Sequence, residues 1–399
     1  MSVSKETVQL IQGGSLLAFD LVASVTEIVE AMHADISRHQ MPWSESRSKH
    51  TKGITGFTYR TIRSFNNTFR SGVKTLLPIV KIPSEHQQSA LVGHLSAALN
   101  GLIGDHLEET GNPIAFTMQL RHKAQSLILE TEKITHQVAN PGSKIVVLIH
   151  GLCMSDAQWQ RDGASHADGL ESDLNYTPLY LRYNSGKHIS QNGRELAQCL
   201  EKLLENWPVD VEEISLVTHS MGGLVARSAC HYGAQSKWIS KMCKVVFLGT
   251  PHHGAPLERK SNWLETLWSV IPYSAALARL GMARSSGITD LRYGIIVDED
   301  WQCFDRFKRR QGPEHIIPLP RDVKCYAAAS TIGLDRGDLQ DKLLGDGLVP
   351  VSSALGEHTK QEMSLNIARE NQSITYAMNH FDLLYRPEIH EQVLQWLAE

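Results

Sequence analysis

"SLVTHSMGGLVARSA", residues 215–229, sets a serine between an apolar run and a helix-like pattern. The question is whether Ser220 stands on a nucleophile elbow, the sharp strand-to-helix turn, usually G-x-S-x-G, that lifts a hydroxyl out of the top of a sheet. Upstream, "EISLVTHS" reads as a buried strand. Downstream, "MGGLVARSACHYG" carries helical spacing, so Ser220 falls at a strand-to-helix junction. Gly222 and Gly223 permit a tight backbone there. Thr218 takes the place of the usual first glycine, and its side chain must point away from the junction.

A serine that attacks an ester needs two backbone N–H donors for the oxyanion, one from the next residue and one from the loop of an earlier strand. Met221 supplies the first. "VVLIHGLCMSDAQW" offers the second, because His150-Gly151 directly follows an apolar strand and puts the Leu152 N–H toward the serine. A general base and its acid should follow in the order Ser, Asp or Glu, His. "LLGDGLVPVSSA" places Asp346 on a glycine-flanked loop, and "YAMNHFDLL" places His380 ahead of the C-terminal helix. Asp346 is preferred to Asp335, Asp338 and Asp341 because its glycine neighbours let the backbone turn. His380 is read as the base; the alternative, a cap on the last helix, would not require the Asp346 loop.

Working outward, short apolar strands alternate with helices after about residue 110: "IAFTMQL", "KIVVLIHG", "TPLYLRYN", "EISLVTHS", "KVVFLGTP" and "VKCYAAAS". This alternation predicts an α/β fold with a mostly parallel sheet covered on both faces. The first 110 residues show helical periodicity instead. Leu17, Leu21, Val25, Ile28, Met32 and Ile36 make one apolar stripe, and Ile62, Phe65, Phe69, Val73 and Leu76 make a second, with Arg60, Arg63, Arg70 and Lys74 around it. A third helix is predicted from Ser84 through Leu91, Leu95, Ala98 and Leu102. "EETGNPIA", residues 108–115, breaks the pattern, which divides the chain into a helical N-terminal domain, 1–110, and an α/β domain, 111–399.

The chain has 399 residues and a formal charge of -4, which gives no global basic field and no reason to expect nucleic acid. Its opening, "MSVSKETVQLIQGG", lacks an apolar core behind a basic start, and no glycine follows Met1; a cytoplasmic location is expected. The apolar run "IVVLI" is strand-sized, far short of the roughly 20 residues of a membrane span. The basic second helix would suit peripheral contact with an anionic membrane surface or a partner, though a solvated helix face explains it as well. Six cysteines without C-x-x-C spacing read as reduced, mostly buried thiols, and no zinc site is assigned. His252 and His253 read as pocket-lining loop residues, and His219 as packing beneath the elbow.

Taken together, "LIHGL", "THSMGGLVAR", "GTPHHGAP", "GDGLVPVSSA" and "NHFDLL" resemble the lipase and esterase branch of the α/β-hydrolase superfamily, with bacterial triacylglycerol lipases and GPI inositol-deacylase-like hydrolases as the nearest likenesses. The resemblance covers roughly residues 140–399. It implies Ser220 as nucleophile, His380 as base, Asp346 as its partner, Leu152 and Met221 as oxyanion donors, and a small-molecule or lipid ester as substrate, without a cofactor. In the calcium-dependent lipases an aspartate two residues after the histidine binds metal; Asp382 stands there, but no second carboxylate is identifiable, and a polar residue at the start of the last helix is the simpler reading. An acyltransferase would use the same triad. A non-catalytic binding module is the other alternative, and the ordered triad speaks against it. Oligomeric state has no signal.

The segment 255–312 is far longer than the roughly 2–6 residues of an ordinary connection, which suggests a helical cap or lid. Trp263, Leu267 and Trp268 fall on one face of "NWLETLWSVIPYSAALARL" and are the candidate acyl-binding residues, unless that face packs on the core.

Overall fold

The computed structural model describes residues 90–161, 164–255, 285–302, 312–334 and 345–399, with 9–20 and the single residues 23, 64, 67 and 71 upstream. The second apolar stripe, most of the first, residues 84–89 and the cap residues Trp263, Leu267 and Trp268 lie outside the described residues, as do Asp335, Asp338 and Asp341.

Two compact units are formed. In the first, Met1–Ser96 with Thr110–Ile114, residues 9–20 are helical. There Asn112 Nδ2 donates to the Gly13 carbonyl (3.1 Å), and Asn112 Oδ1 accepts from the Ile114 N–H (3.0 Å). The second unit, Ala97–Glu109 with Ala115–Glu399, holds the sheet. Helix α1, Ala90–Glu109, leaves helical geometry at Ile103 (φ -140°, ψ 26°). Its residues 97–109 belong to the sheet-bearing unit, where Ala97, Ala98, Leu102, Ile103 and Leu107 are buried. Deleting residues 1–110 would therefore strip five buried apolar side chains from that unit, each worth about 1.5–3 kcal/mol for the larger ones. The 1–110 deletion is expected to be insoluble or to melt far below a 1–89 deletion, and matched thermal scans of the two check this.

The strands of the main sheet are β1 Gln119–His122, β2 Gln125–Ser126, β3 Lys144–Ile149, β4 Tyr176–Arg182, β5 Glu213–His219, β6 Met242–Leu248, β7 Lys324–Ser330 and β8 Gln372–Thr375; Gln160–Arg161 and Ala164–Ser165 pair separately. Strands β1 to β8 form one eight-stranded sheet in the order β8-β7-β6-β5-β3-β4-β1-β2. From β4 to β8 every pairing is parallel, while β1 joins β4 and β2 antiparallel. "IAFTMQL" departs from its reading: strand begins only at Gln119, and the chain folds back as a hairpin through Lys123 and Ala124, both at positive φ. The edge strand β8, where Ser373 alternates with Ile374, lacks the apolar run that marks the central strands.

That run has a physical cause. A sheet covered on both faces buries both parities of each strand, and Ile145, Val146, Val147, Leu148 and Ile149 are all fully buried. Val146, Leu148, Val217, Val246, Leu248, Tyr326 and Ala328 point into one core with Trp396 and Leu397 of the last helix, Pro387–Ala398. Along the chain follow α2 Thr131–Gln137, α3 His166–Ser172, α4 Ile189–Asn206, α5 Met221–Tyr232, α6 Ser286–Tyr293 and that last helix, α7. Among the described residues no helix is long and apolar enough to cross a membrane.

The connection from β3 leads to β4 on one side, and the chain then crosses to β5 on the other side of β3. Such a reversal opens a crevice at the carboxyl ends of the strands, where ligands of open α/β sheets bind.

Candidate active site

Ser220 directly follows β5 and caps α5 with φ 54° and ψ -125°, a backbone conformation that L-residues avoid. Its N–H donates to the Leu248 carbonyl (2.8 Å), which fixes the turn to the end of β6. Thr218 is accommodated because its Oγ1 turns sideways and donates to the Val246 carbonyl (3.0 Å). The close approach falls instead on Gly222, where a Cβ would lie 2.5 Å from the Ile149 carbonyl and 2.7 Å from that of His150.

Those carbonyls open the loop that carries Leu152. A Cβ on Gly151 would stand 3.0 Å from Ser220 Cβ, so Leu152 follows directly on the point of contact between loop and elbow. Met221 is the first residue of α5, and its N–H is one of the four that a helix cannot satisfy internally. The far end of the loop is fixed by charge: buried Asp156 meets Arg121 Nε at 2.7 Å and Arg182 Nε at 2.6 Å.

Asp346 and His380 follow the carboxyl ends of β7 and β8. His380 Nδ1 meets Asp346 Oδ2 at 2.6 Å, with both side chains buried. The other carboxylate oxygen accepts the N–H groups of Leu348 (2.9 Å) and Val349 (2.7 Å). Gly345, at φ 54°, must be glycine twice over, since a Cβ there would also run into the Val349 carbonyl. The His380 ring lies against Gly249, one residue beyond the carbonyl that holds Ser220: a Cβ on Gly249 would be 3.0 Å from His380 Cε1. Ser220, His380, Asp346, Leu152 and Met221 are thus gathered at one end of the sheet.

His219 does more than pack beneath the elbow. Its Nε2 donates to the His380 carbonyl (3.1 Å), tying the residue before Ser220 to the histidine loop. That bond fixes the proton on Nε2. Nδ1 is left a bare buried acceptor with no hydrogen-bond partner. Nothing in the spacing of the sequence points to this link, which spans 161 residues. His252 is buried, with Nδ1 3.5 Å from Arg227 Nη1, so it supports the floor of the loop. Asp382 opens a short turn, Asp382–Leu384, several residues ahead of α7, and so does not start the last helix; its Oδ2 accepts the Asn379 N–H (2.8 Å). Among the described residues no group of three or more His, Cys, Asp or Glu side chains is placed to hold a metal ion.

Burial keeps several imidazoles around the site neutral. It lowers His150 to about 4 and His166 to about 3, and it holds His219 and His252 well below the ordinary histidine value. A histidine whose folded pKa is depressed stabilises the fold fully above the unfolded value of 6.5. The stability drains as pH falls below it, because the unfolded chain takes up the proton first. Each such proton is worth about 1.4 kcal/mol per pH unit. Denaturant unfolding should therefore show stability dropping by at least that slope between pH 6 and pH 5; a flat profile would mean these histidines are solvated.

Residues 140–317 match the PGAP1-like alpha/beta domain. The match spans less than half of the chain and supports an α/β-hydrolase fold for that part. Among solved structures similar to this chain is Bacillus licheniformis lipase BlEst2 in mature form, at 19% identity, covering 65% of this chain and 94% of that one, with a TM-score of 0.41. Aspergillus fumigatus lipase B is similar at 11% identity, covering 100% of this chain and 85% of that one, with a TM-score of 0.43. No curated protein matches the sequence.

Proposed function

We propose that the chain hydrolyses carboxylic esters of a small molecule or lipid by two-step acyl transfer. The observation that carries this reading is the strained Ser220 elbow beside a buried His380–Asp346 pair at 2.6 Å. In the first step His380 Nε2 takes the Ser220 proton while Oγ forms a bond to the ester carbonyl carbon. The negative charge that develops on the carbonyl oxygen is received by the N–H groups of Leu152 and Met221. Asp346 accepts from Nδ1, holds the ring in the tautomer that leaves Nε2 free, and stabilises the imidazolium. Collapse expels the alcohol, which takes its proton from His380, and a water activated by the same imidazole then releases the acid.

The neutral state of His150 and His219 supports this assignment, because neither adds a second positive charge beside the imidazolium. A panel of p-nitrophenyl esters of graded chain length, together with a fluorophosphonate probe, tests the reading. Turnover with labelling confined to Ser220 is expected, and stoichiometric labelling at another serine would refute it. Trp263, Leu267 and Trp268, which the sequence spacing groups together, are proposed to take the acyl chain. On the same panel, Trp268→Ala should then weaken long-chain turnover about tenfold more than acetate turnover, the effect of losing a few buried methylene contacts; equal losses would remove the stripe from the acyl site.

A further inference from the structure

The loop carrying Leu152 is held from its outer side by α1, a helix that precedes the sheet in sequence. Cys153 sits at positive φ (59°), a conformation that a non-glycine residue keeps only when its surroundings fix it. Two elements do so. Its N–H donates to Ser185 Oγ (3.1 Å), just past the end of β4, and its Sγ lies 3.8 Å from the Ala98 carbonyl of α1. Burial pushes the thiol up to about 12, so it serves as a neutral packing group.

The helix reaches this close because Gly101 and Gly104, at the points of contact, carry no side chain. A Cβ on Gly101 would fall on Cys153 Sγ and lie 2.7 Å from Cys153 N and 2.8 Å from its Cα. One turn on, a Cβ on Gly104 would fall on Asn184 Oδ1. The helix is tied down around these glycines by its own carbonyls. Ser285 Oγ donates to the Gly101 carbonyl (2.7 Å) and Asn184 Nδ2 to the Gly104 carbonyl (2.9 Å). Asp105 accepts from the Ser286 N–H (2.9 Å), and Glu108 pairs with Lys187 (2.8 Å). These contacts fix both the helix and the loop it presses on.

We propose that Gly101 is a positioning residue: the bare helix face at Gly101 presses on Cys153 and thereby sets the Leu152 N–H where the oxyanion forms. This rests on the ester-hydrolase reading above. A loop displaced by about 1 Å can cost about 100-fold in rate, comparable with losing one oxyanion donor, about 10² to 10³.

The test uses the full chain, p-nitrophenyl acetate as substrate and exhaustive fluorophosphonate labelling to count reactive sites. Gly101→Ala should lower kcat per reactive site about 100-fold with KM changed less than threefold. Cys153→Gly removes the side chain caught under the helix and suits the positive φ. It should lose about tenfold in kcat per site while melting within a few degrees of the native chain. Gly93→Ala, where a Cβ meets nothing within 4 Å, should change neither. If Gly101→Ala does not fold, Cys153→Gly decides. Native kcat per site in folded Gly101→Ala or in Cys153→Gly, or a loss confined to KM or to melting temperature, overturns the proposal. A native chain that neither turns over ester nor labels at Ser220 overturns the hydrolase reading itself; a reactive native chain with unaffected variants overturns only the role of the helix.

Discussion

Ser220→Ala should lose ester turnover by about 10⁴-fold or more and should no longer react with a fluorophosphonate, since in the proposed mechanism one hydroxyl is both nucleophile and probe target. The backbone at this position adds a second, independent expectation. With φ at 54° and ψ at -125°, Ser220 is held where glycine sits at ease and other residues are strained by about 1–3 kcal/mol. Ser220→Gly releases that strain, set against about 0.5–1 kcal/mol for the extra freedom of glycine in the unfolded chain. It should be as inactive as the alanine variant and melt at or above the native temperature, with Ser220→Ala below it. If Ser220→Gly melts clearly lower than Ser220→Ala, the turn is not strained in solution. Residual activity near the native level in either variant would move the nucleophile elsewhere.

Asp346→Asn is expected to fold normally and to lose about 10⁴-fold in kcat. The fold survives because the amide oxygen can still accept from Leu348 and Val349, the two N–H groups that the carboxylate holds at 2.9 and 2.7 Å. That orientation turns the amide nitrogen toward His380 Nδ1, which must then accept rather than donate. The ring proton is driven to Nε2, the atom that has to take the proton of Ser220. A melting temperature within a few degrees of native, together with the kinetic loss, checks this. A crippling effect of Asp335→Asn or Asp341→Asn, with Asp346→Asn active, would show that the acid was wrongly chosen.

The parts of this protein that the sequence by itself determined are those written in local pattern. The apolar run at 145–149 announces a strand buried on both faces, and the switch from an apolar run to helical spacing across Ser220 announces the strand-to-helix turn. The order of Ser220, Asp346 and His380, with glycines on both sides of Asp346, carried the candidate site. Weak edges were less legible. "IAFTMQL" has strand composition but starts pairing only at Gln119, and Gln372–Thr375 gains its place from hydrogen bonds to β7 rather than from its own residues. Tertiary structure alone decided how Thr218 fits in place of glycine, through a bond to a neighbouring strand's carbonyl, and how His219 holds the loop of His380. It also decided that residues 97–109 belong to the unit that holds the sheet. In sequence these are an ordinary helix before a break, because Gly101 and Gly104 reveal their purpose only when another backbone is found against them. Periodicity reports which face of an element is buried; it does not report which distant segment buries it, and the contacts that hold Thr218, His219 and the Leu152 loop are of that second kind.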